Sequence, residues 1–268
     1  MSPDRIRLPF PPDLRPARFV ERPNRFVVRA TLEGGEDGGQ VVSAHLPDPG
    51  RLRELLLPEA LLWLEPARNP ERKTRWTLRL CRRPDGPGVV SLDTTLPNRL
   101  VERALEAAAL DELEGWALAR REVTVGASRF DFLLERDPGG DPEARGRGVR
   151  ELAQSPGRSR PSRLLLEVKS VTLVEGGVGL FPDAVTTRGA RHVRELTQLT
   201  REEGWATVIL FVLQRDDASE IRAAASIDPH FASELQRAKA AGVRILGRRC
   251  RVSLEGVELG EPIPAGPG

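Results

Sequence analysis

The chain of 268 residues has no tyrosine, two cysteines, four tryptophans, and only three lysines beside 38 arginines. Cys81 and Cys250 lie far apart, and neither belongs to a Cys-x-x-Cys pair. A disulfide framework and a structural zinc site are therefore not expected, and a reducing cytoplasm fits. Long hydrophobic runs are also missing. The most apolar stretch, Leu55 to Leu64, is broken by Pro58 and Glu59 and is too short to span a bilayer. Met1 to Pro12 carries arginines and four prolines but no apolar segment of the kind a secretory signal needs. A cytoplasmic protein with no membrane partner is expected. Net charge is only +2, so any nucleic-acid surface has to be a local concentration of arginine.

What is present is enough for one large domain or two small ones, with 39% hydrophobic and 30% charged residues. Residues 18–33 read as extended, with Pro23-Asn24 as a bend. A turn at Gly34 to Gly39, a strand at Val41 to His45 and the turn Pro47-Asp48-Pro49-Gly50 follow. Short strands near Leu61–Leu64 and Thr74–Cys81 complete a pattern that fits a small OB-like β-barrel. Beyond Pro84-Asp85-Gly86-Pro87 the pattern changes. A strand at Val89–Leu92, helical spacing over Asn98 to Leu113, and strands at Val123–Val125, Phe130–Leu134 and Leu164–Val168 come first. A helix over Thr186 to Glu203, an apolar strand at Ala206–Leu213, a helix at Phe231–Ala241 and a strand at Val243–Leu246 close the series. This order predicts an α/β domain with a mixed central sheet. The expected division is a tail over 1–14, a barrel domain over 15–84, the α/β domain over 85–258 with a flexible insertion at 137–162, and a second tail over 259–268.

One of the three lysines ends the segment Leu164-Leu165-Leu166-Glu167-Val168-Lys169. A compact ammonium differs most from a guanidinium beside a water or a phosphate oxygen, so this is the first place to look for chemistry. Residues two apart on a strand share a face, so Glu167 and Lys169 point together while Leu164, Leu166 and Val168 point to the opposite, buried side. Asp131, between Phe130 and Phe132, converges on them if its strand pairs with this one in a matching register. Two carboxylates with a backbone carbonyl and waters suit Mg²⁺, and such an ion lowers the pKa of a bound water. On spacing alone, Glu167 and Lys169 are equally a solvated ion pair at a strand end.

Phe130-Asp131-Phe132, Leu166-Glu167-Val168-Lys169-Ser170-Val171-Thr172-Leu173 and the segment Phe181 to Leu196 together resemble the sugar fermentation stimulation protein A family. Arg25-Phe26-Val27, the turn His45 to Arg51 and Asn98-Arg99-Leu100 resemble it too, and the likeness extends over most of residues 15–250. The turn reads Leu-Pro-Asp-Pro-Gly where relatives often have Cys-Pro-Asn-Thr-Gly. The resemblance implies an OB-like domain followed by a domain similar to PD-(D/E)XK nucleases, with DNA as partner. It implies Asp131 and Glu167 as ligands of Mg²⁺ or Mn²⁺, Lys169 as the catalytic cation, and Glu102 as a further acid of the catalytic and metal set.

On a helix starting near Thr186, Arg188, Arg191, His192, Glu195 and Gln198 form one polar face, and Asp183 or Thr186 suits the N-cap. Arg188, Arg191 and His192 are expected on phosphates near the metal, with Arg25 and Arg51 as further phosphate contacts and Arg22 a weaker one. Phe26, Trp63 and Trp76 read as core residues of the barrel rather than platforms for bases. The expected activity is metal-dependent phosphodiester hydrolysis of DNA or RNA; the alternative is a non-catalytic DNA-binding regulator on the same scaffold. A homodimer is compatible with the sequence but not shown by it.

Overall fold

A computed structural model describes residues 5–69, 71–136 and 160–268. Most of the insertion expected at 137–162 lies outside the described residues. The described elements, in chain order, are β1 (Arg7–Pro9), β2 (Arg15–Asn24), β3 (Val27–Leu32), β4 (Val41–His45), β5 (Leu61–Pro66), β6 (Trp76–Arg82), β7 (Val89–Ser91), α1 (Leu96–Glu106), β8 (Trp116–Val125), β9 (Ser128–Arg136), β10 (Arg163–Val171), β11 (Leu173–Glu175), β12 (Val178–Phe181), α2 (Thr187–Leu199), β13 (Trp205–Leu213), β14 (Glu220–Ala223), α3 (Pro229–Ala241), β15 (Arg244–Ser253), β16 (Gly256–Ile263) and β17 (Ala265–Gly266).

The N-terminal strands form a sheet in the order β4-β3-β2-β5-β6-β7, and β4 also pairs with β6. That pairing closes β2 to β6 into a five-stranded barrel, which removes the exposed sheet edges an open sheet would present. Alternation does the packing: Val28, Ala30 and Leu32 of β3 point into the barrel core with Ala17, Leu62, Leu64 and Leu78. The first strand of the segment expected in the second domain, β7, is the outermost strand of this sheet. Phe26 departs from expectation. Asn24 Oδ1 accepts the Phe26 N–H at 2.9 Å, making a tight turn at the β2–β3 tip that turns the ring outward, and Phe26 is 48% exposed.

The second domain is a seven-stranded mixed sheet in the order β1-β16-β15-β13-β10-β9-β8, with β10, β13 and β15 parallel and the flanking pairs antiparallel. Parts of the segments expected as tails over 1–14 and 259–268 belong to it. Residues Arg7–Pro9 pair with β16, whose span runs to Ile263. β1 is only three residues long and is a strand because β16 offers it an edge, whereas β16 is already the second arm of an antiparallel hairpin with β15. The small sheet β11-β12-β14-β17 was not foreseen either, and it packs beneath α2 and α3.

Strand β13 explains why Ala206–Leu213 is so apolar. Ala206, Val208, Leu210 and Val212 face one core with α1, while Ile209, Phe211 and Leu213 face another with α2 and α3. The same is true of β10, where Leu164, Leu166 and Val168 join the α1 core and Leu165 and Val171 join the α2–α3 core. The helix expected over Asn98 to Leu113 stops at Glu106. Ala108 takes φ +49°, which breaks it, and Leu110 and Leu113 reach the core from a short 3-10 turn instead. Among the described residues, no helix is long and apolar enough to cross a membrane.

Candidate active site at Asp131, Glu167 and Lys169

The β9–β10 ladder pairs Leu164 with Leu134, Leu165 with Leu133 and Leu166 with Phe132, then ends. One step further, a side chain replaces the ladder: Asp131 Oδ2 accepts the Val168 N–H at 2.7 Å. Its other oxygen accepts from Asn98 Nδ2 of α1 at 2.7 Å. Asp131 is thus clamped where β9 parts from β10, beside Glu167. Asn98 has a role that sequence reasoning did not assign, although Asn98-Arg99-Leu100 was among the segments carrying the resemblance.

Glu167 and Lys169 share a face as expected, but that face is not open. Helix α2 covers it, and Glu167 is only 4% exposed. Glu167 Oε1 takes Lys169 Nζ at 2.5 Å and His192 Nδ1 at 2.7 Å. Its Oε2 is buried and makes no hydrogen bond among the described residues.

Burial raises the cost of ionising Glu167, but the Lys169 ammonium and the hydrogen bonds from His192 and Lys169 outweigh it and leave the pKa below the usual range. Asp131 goes the other way. Burial pushes its carboxyl up and the Glu167 charge adds to that, against the Val168 N–H, Lys169 and Asn98. Two neighbouring carboxyls with pKa values driven apart are a common arrangement of functional sites.

This donor set fits a hard divalent cation: a partnerless buried carboxylate oxygen on Glu167 and a second carboxylate with spare lone pairs on Asp131. The set is small. Among the described residues, no group of three or more His, Cys, Asp or Glu side chains is placed to hold a metal ion. Glu102, expected as a third acid, is engaged elsewhere, with Arg121 Nη1 at 2.6 Å from its Oε1.

The expected phosphate contacts separate into two groups. His192 is 3% exposed and faces Glu167 and the Phe130 ring, not the polar face of α2. Arg188 and Arg191 are exposed on that helix, and Arg191 lies 4.0 Å from Glu195. Thr186, not Asp183, caps α2 by accepting the Gly189 N–H at 3.0 Å.

Asp183 instead reaches the barrel, where its Oδ2 accepts the Arg51 N–H at 2.8 Å. It lies flat on Gly50: a Cβ there would sit 2.0 Å from Asp183 Oδ2. Behind it, Asp48 Oδ1 accepts the Gly50 N–H at 2.8 Å. Arg22, expected on a phosphate, spends its guanidinium on the carbonyls of Arg51, Arg25 and Asp48. It thereby draws exposed Arg25 and Arg51 toward one another at the edge of the barrel. The turn His45 to Arg51 and the segment Phe181 to Leu196, two of the segments that carried the family resemblance, therefore clasp each other across the two domains.

The fold and these contacts define a class: a closed OB barrel clasped to a mixed α/β domain with a buried carboxylate pair at a strand end. Two family profiles match in the same order, the SfsA N-terminal OB domain over residues 20–91 and the Sugar fermentation stimulation protein RE domain over residues 95–256. The Sugar fermentation stimulation protein homolog of Shouchella clausii is 45% identical over 253 residues, covering 94% of this chain and 97% of that protein. The homolog of Moorella thermoacetica is 42% identical over 254 residues, again covering 94% and 97%. The structure of Pyrococcus furiosus SfsA in complex with Ca²⁺ is similar at a TM-score of 0.77 and 27% identity, over 95% of this chain and 96% of that one. The chain belongs to the sugar fermentation stimulation protein family.

Proposed function

We propose that this protein binds nucleic acid and hydrolyses its phosphodiester bonds with Mg²⁺ or Mn²⁺ at the Asp131–Glu167 pair, in the manner of PD-(D/E)XK nucleases. The observation that carries the reading is the buried Oε2 of Glu167, without a hydrogen-bond partner among the described residues, beside Asp131 and Lys169. A relative of the same fold is described in complex with Ca²⁺, a cation of the same oxygen-seeking class. When bound, the cation would acidify a water and spread the charge that develops on a phosphoryl oxygen.

The protein's own residues do the rest. Asp131, clamped by Val168 N–H and Asn98, and Glu167, clamped by His192 and Lys169, hold their carboxylates rigidly enough to act as ligands without reordering. Lys169 sits on the outer side of Glu167, with 12% of its side chain exposed, where one ammonium can serve both that carboxylate and an approaching phosphate. Arg188 and Arg191 of α2, with Arg25 and Arg51 at the barrel edge, supply the exposed cations for the backbone of DNA, the expected partner, or RNA.

Cleavage of DNA and RNA with Mg²⁺ or Mn²⁺, comparing wild type with Asp131→Asn and Lys169→Ala, tests this. Metal-dependent cutting that both substitutions abolish is expected. No cutting of any substrate, with binding retained, would sink the enzyme and leave the second reading. That reading is a DNA-binding regulator on a nuclease-like scaffold, favoured by one observation: Glu102 is paired to Arg121 and brings no third acid to the site.

A further inference from the structure

We propose that His192 is the positioning residue of the carboxylate pair: a ring that carries its proton at Nδ1, turns Nε2 to Arg188, holds Glu167 Oε1 and so leaves Oε2 as the ligating oxygen. The proposal rests on the reading of Asp131 and Glu167 as cation ligands, and it reassigns a residue expected on phosphates.

The argument begins with hydrogen-bond capacity. A guanidinium has only donors. Arg188 Nε donates to His192 Nε2 at 3.4 Å from one turn earlier on α2, so Nε2 must carry the lone pair. The single ring proton then sits on Nδ1, 2.7 Å from Glu167 Oε1, and donates to it. An imidazole in this state has no proton left to give a phosphate.

The ring is also held mechanically. It is 3% exposed, and the Phe130 ring packs on it with centroids 5.4 Å apart at a 53° tilt. Helix α2 itself is pinned at its start, where Thr186 donates its N–H to Asp228 Oδ2 at 2.8 Å and caps Gly189.

With Lys169 on the same oxygen, both side-chain hydrogen bonds of Glu167 among the described residues fall on Oε1 and none on Oε2. A carboxylate with one oxygen doubly held and the other bare has a single orientation to offer a cation. Hydrogen-bonded partners that orient ligands in this way are worth about 10–100-fold in metal affinity when removed.

Two measurements test the assignment. The first needs no variant. The chain has three histidines, so the imidazole nitrogens can be resolved by ¹⁵N NMR of the full chain. His192 is expected to be protonated at Nδ1 and bare at Nε2 at neutral pH; a proton on Nε2 would overturn the proposal.

The second exploits side-chain geometry. An Asn places its amide nitrogen on Cγ, where Nδ1 is attached, whereas a Gln places it one bond further out. By calorimetry with Mn²⁺, His192→Asn is expected to bind within about threefold of wild type, and His192→Gln about 10–100-fold more weakly. Equal losses in the two folded variants would overturn the proposal while leaving the cation site standing. No Mn²⁺ uptake by the wild type would overturn both.

Discussion

At Asp131 and Glu167 the negative charge meets an ammonium, an imidazole N–H, an amide side chain and one backbone N–H. At Asp48 and Asp183 it meets backbone N–H groups of a single turn, with Arg22 as the nearby cation. Both pairs join segments distant in sequence, yet the outcomes differ. Glu167 has its pKa lowered and keeps a bare oxygen, as a ligand should. Asp48 has its carboxyl pushed up to about 7 by burial, with the Gly50 N–H and Arg22 opposing and the Asp183 charge adding to it, and among the described residues no ammonium or imidazole touches it. Sequence proximity to a signature does not separate the two roles. The kind of donor around each carboxylate does.

The comparison can be broken most severely at Lys169. Lys169→Arg keeps the charge but replaces a single short contact with a wide planar fork. Cleavage is expected to fall about 100-fold or more, read as kcat on a DNA substrate. Wild-type activity in that variant would reduce Glu167–Lys169 to an ordinary ion pair.

Arginine elsewhere in the chain shows what the fork is for. Arg215 grips both oxygens of Asp217 at 2.6 and 2.5 Å, and Arg248 grips Glu112 at 3.1 and 2.5 Å. Lys169 makes one contact, to one oxygen.

At the other pair, Gly50→Ala forces a methyl into Asp183. The expected cost is about 1–3 kcal/mol in urea unfolding, with Mn²⁺ affinity unchanged. A loss of metal affinity there would mean that the domain clasp controls the cation site.

The pH dependence sharpens the contrast further. Asp48's pKa is raised on folding, so the native state binds the extra proton. Its stabilising contribution is complete below the usual carboxylate range and is lost as pH rises through about 7. Unfolding of wild type between pH 4 and pH 8 is expected to show this decline, and Asp48→Asn should flatten it; an unchanged slope would contradict the burial assigned to Asp48.

Glu102 gives the smallest effect. Glu102→Gln loses only the contact to half-exposed Arg121, which is worth under about 1 kcal/mol, and leaves Mn²⁺ binding intact. Reduced Mn²⁺ affinity in that variant would restore Glu102 to the cation site.

Much of this was legible before any coordinates. Alternation and turn chemistry marked the barrel strands, and the period of two put Glu167 and Lys169 on one face. Asp131 follows from continuing the β9–β10 register one residue past its last pair. What the sequence hid depends on long-range placement. Glu167 is buried because α2 lies across that face, and His192 turns inward because it sits where the helix meets the sheet. Local periodicity assigned it to the polar side with Arg188 and Arg191. Strand β1 needed an edge supplied by β16, from the far end of the chain, to be a strand at all. Phe26 read as core because aromatic residues are so few, but the Asn24 turn decides its direction.

The central claim is that the Asp131–Glu167 pair binds a divalent cation through the bare oxygen of Glu167. Mn²⁺ titrated calorimetrically into wild type and Glu167→Gln tests it most directly, since the amide preserves shape while removing the charge. Saturable uptake by wild type that disappears in the folded variant is the expected result. Equal uptake by both proteins, or none by either, would contradict the claim.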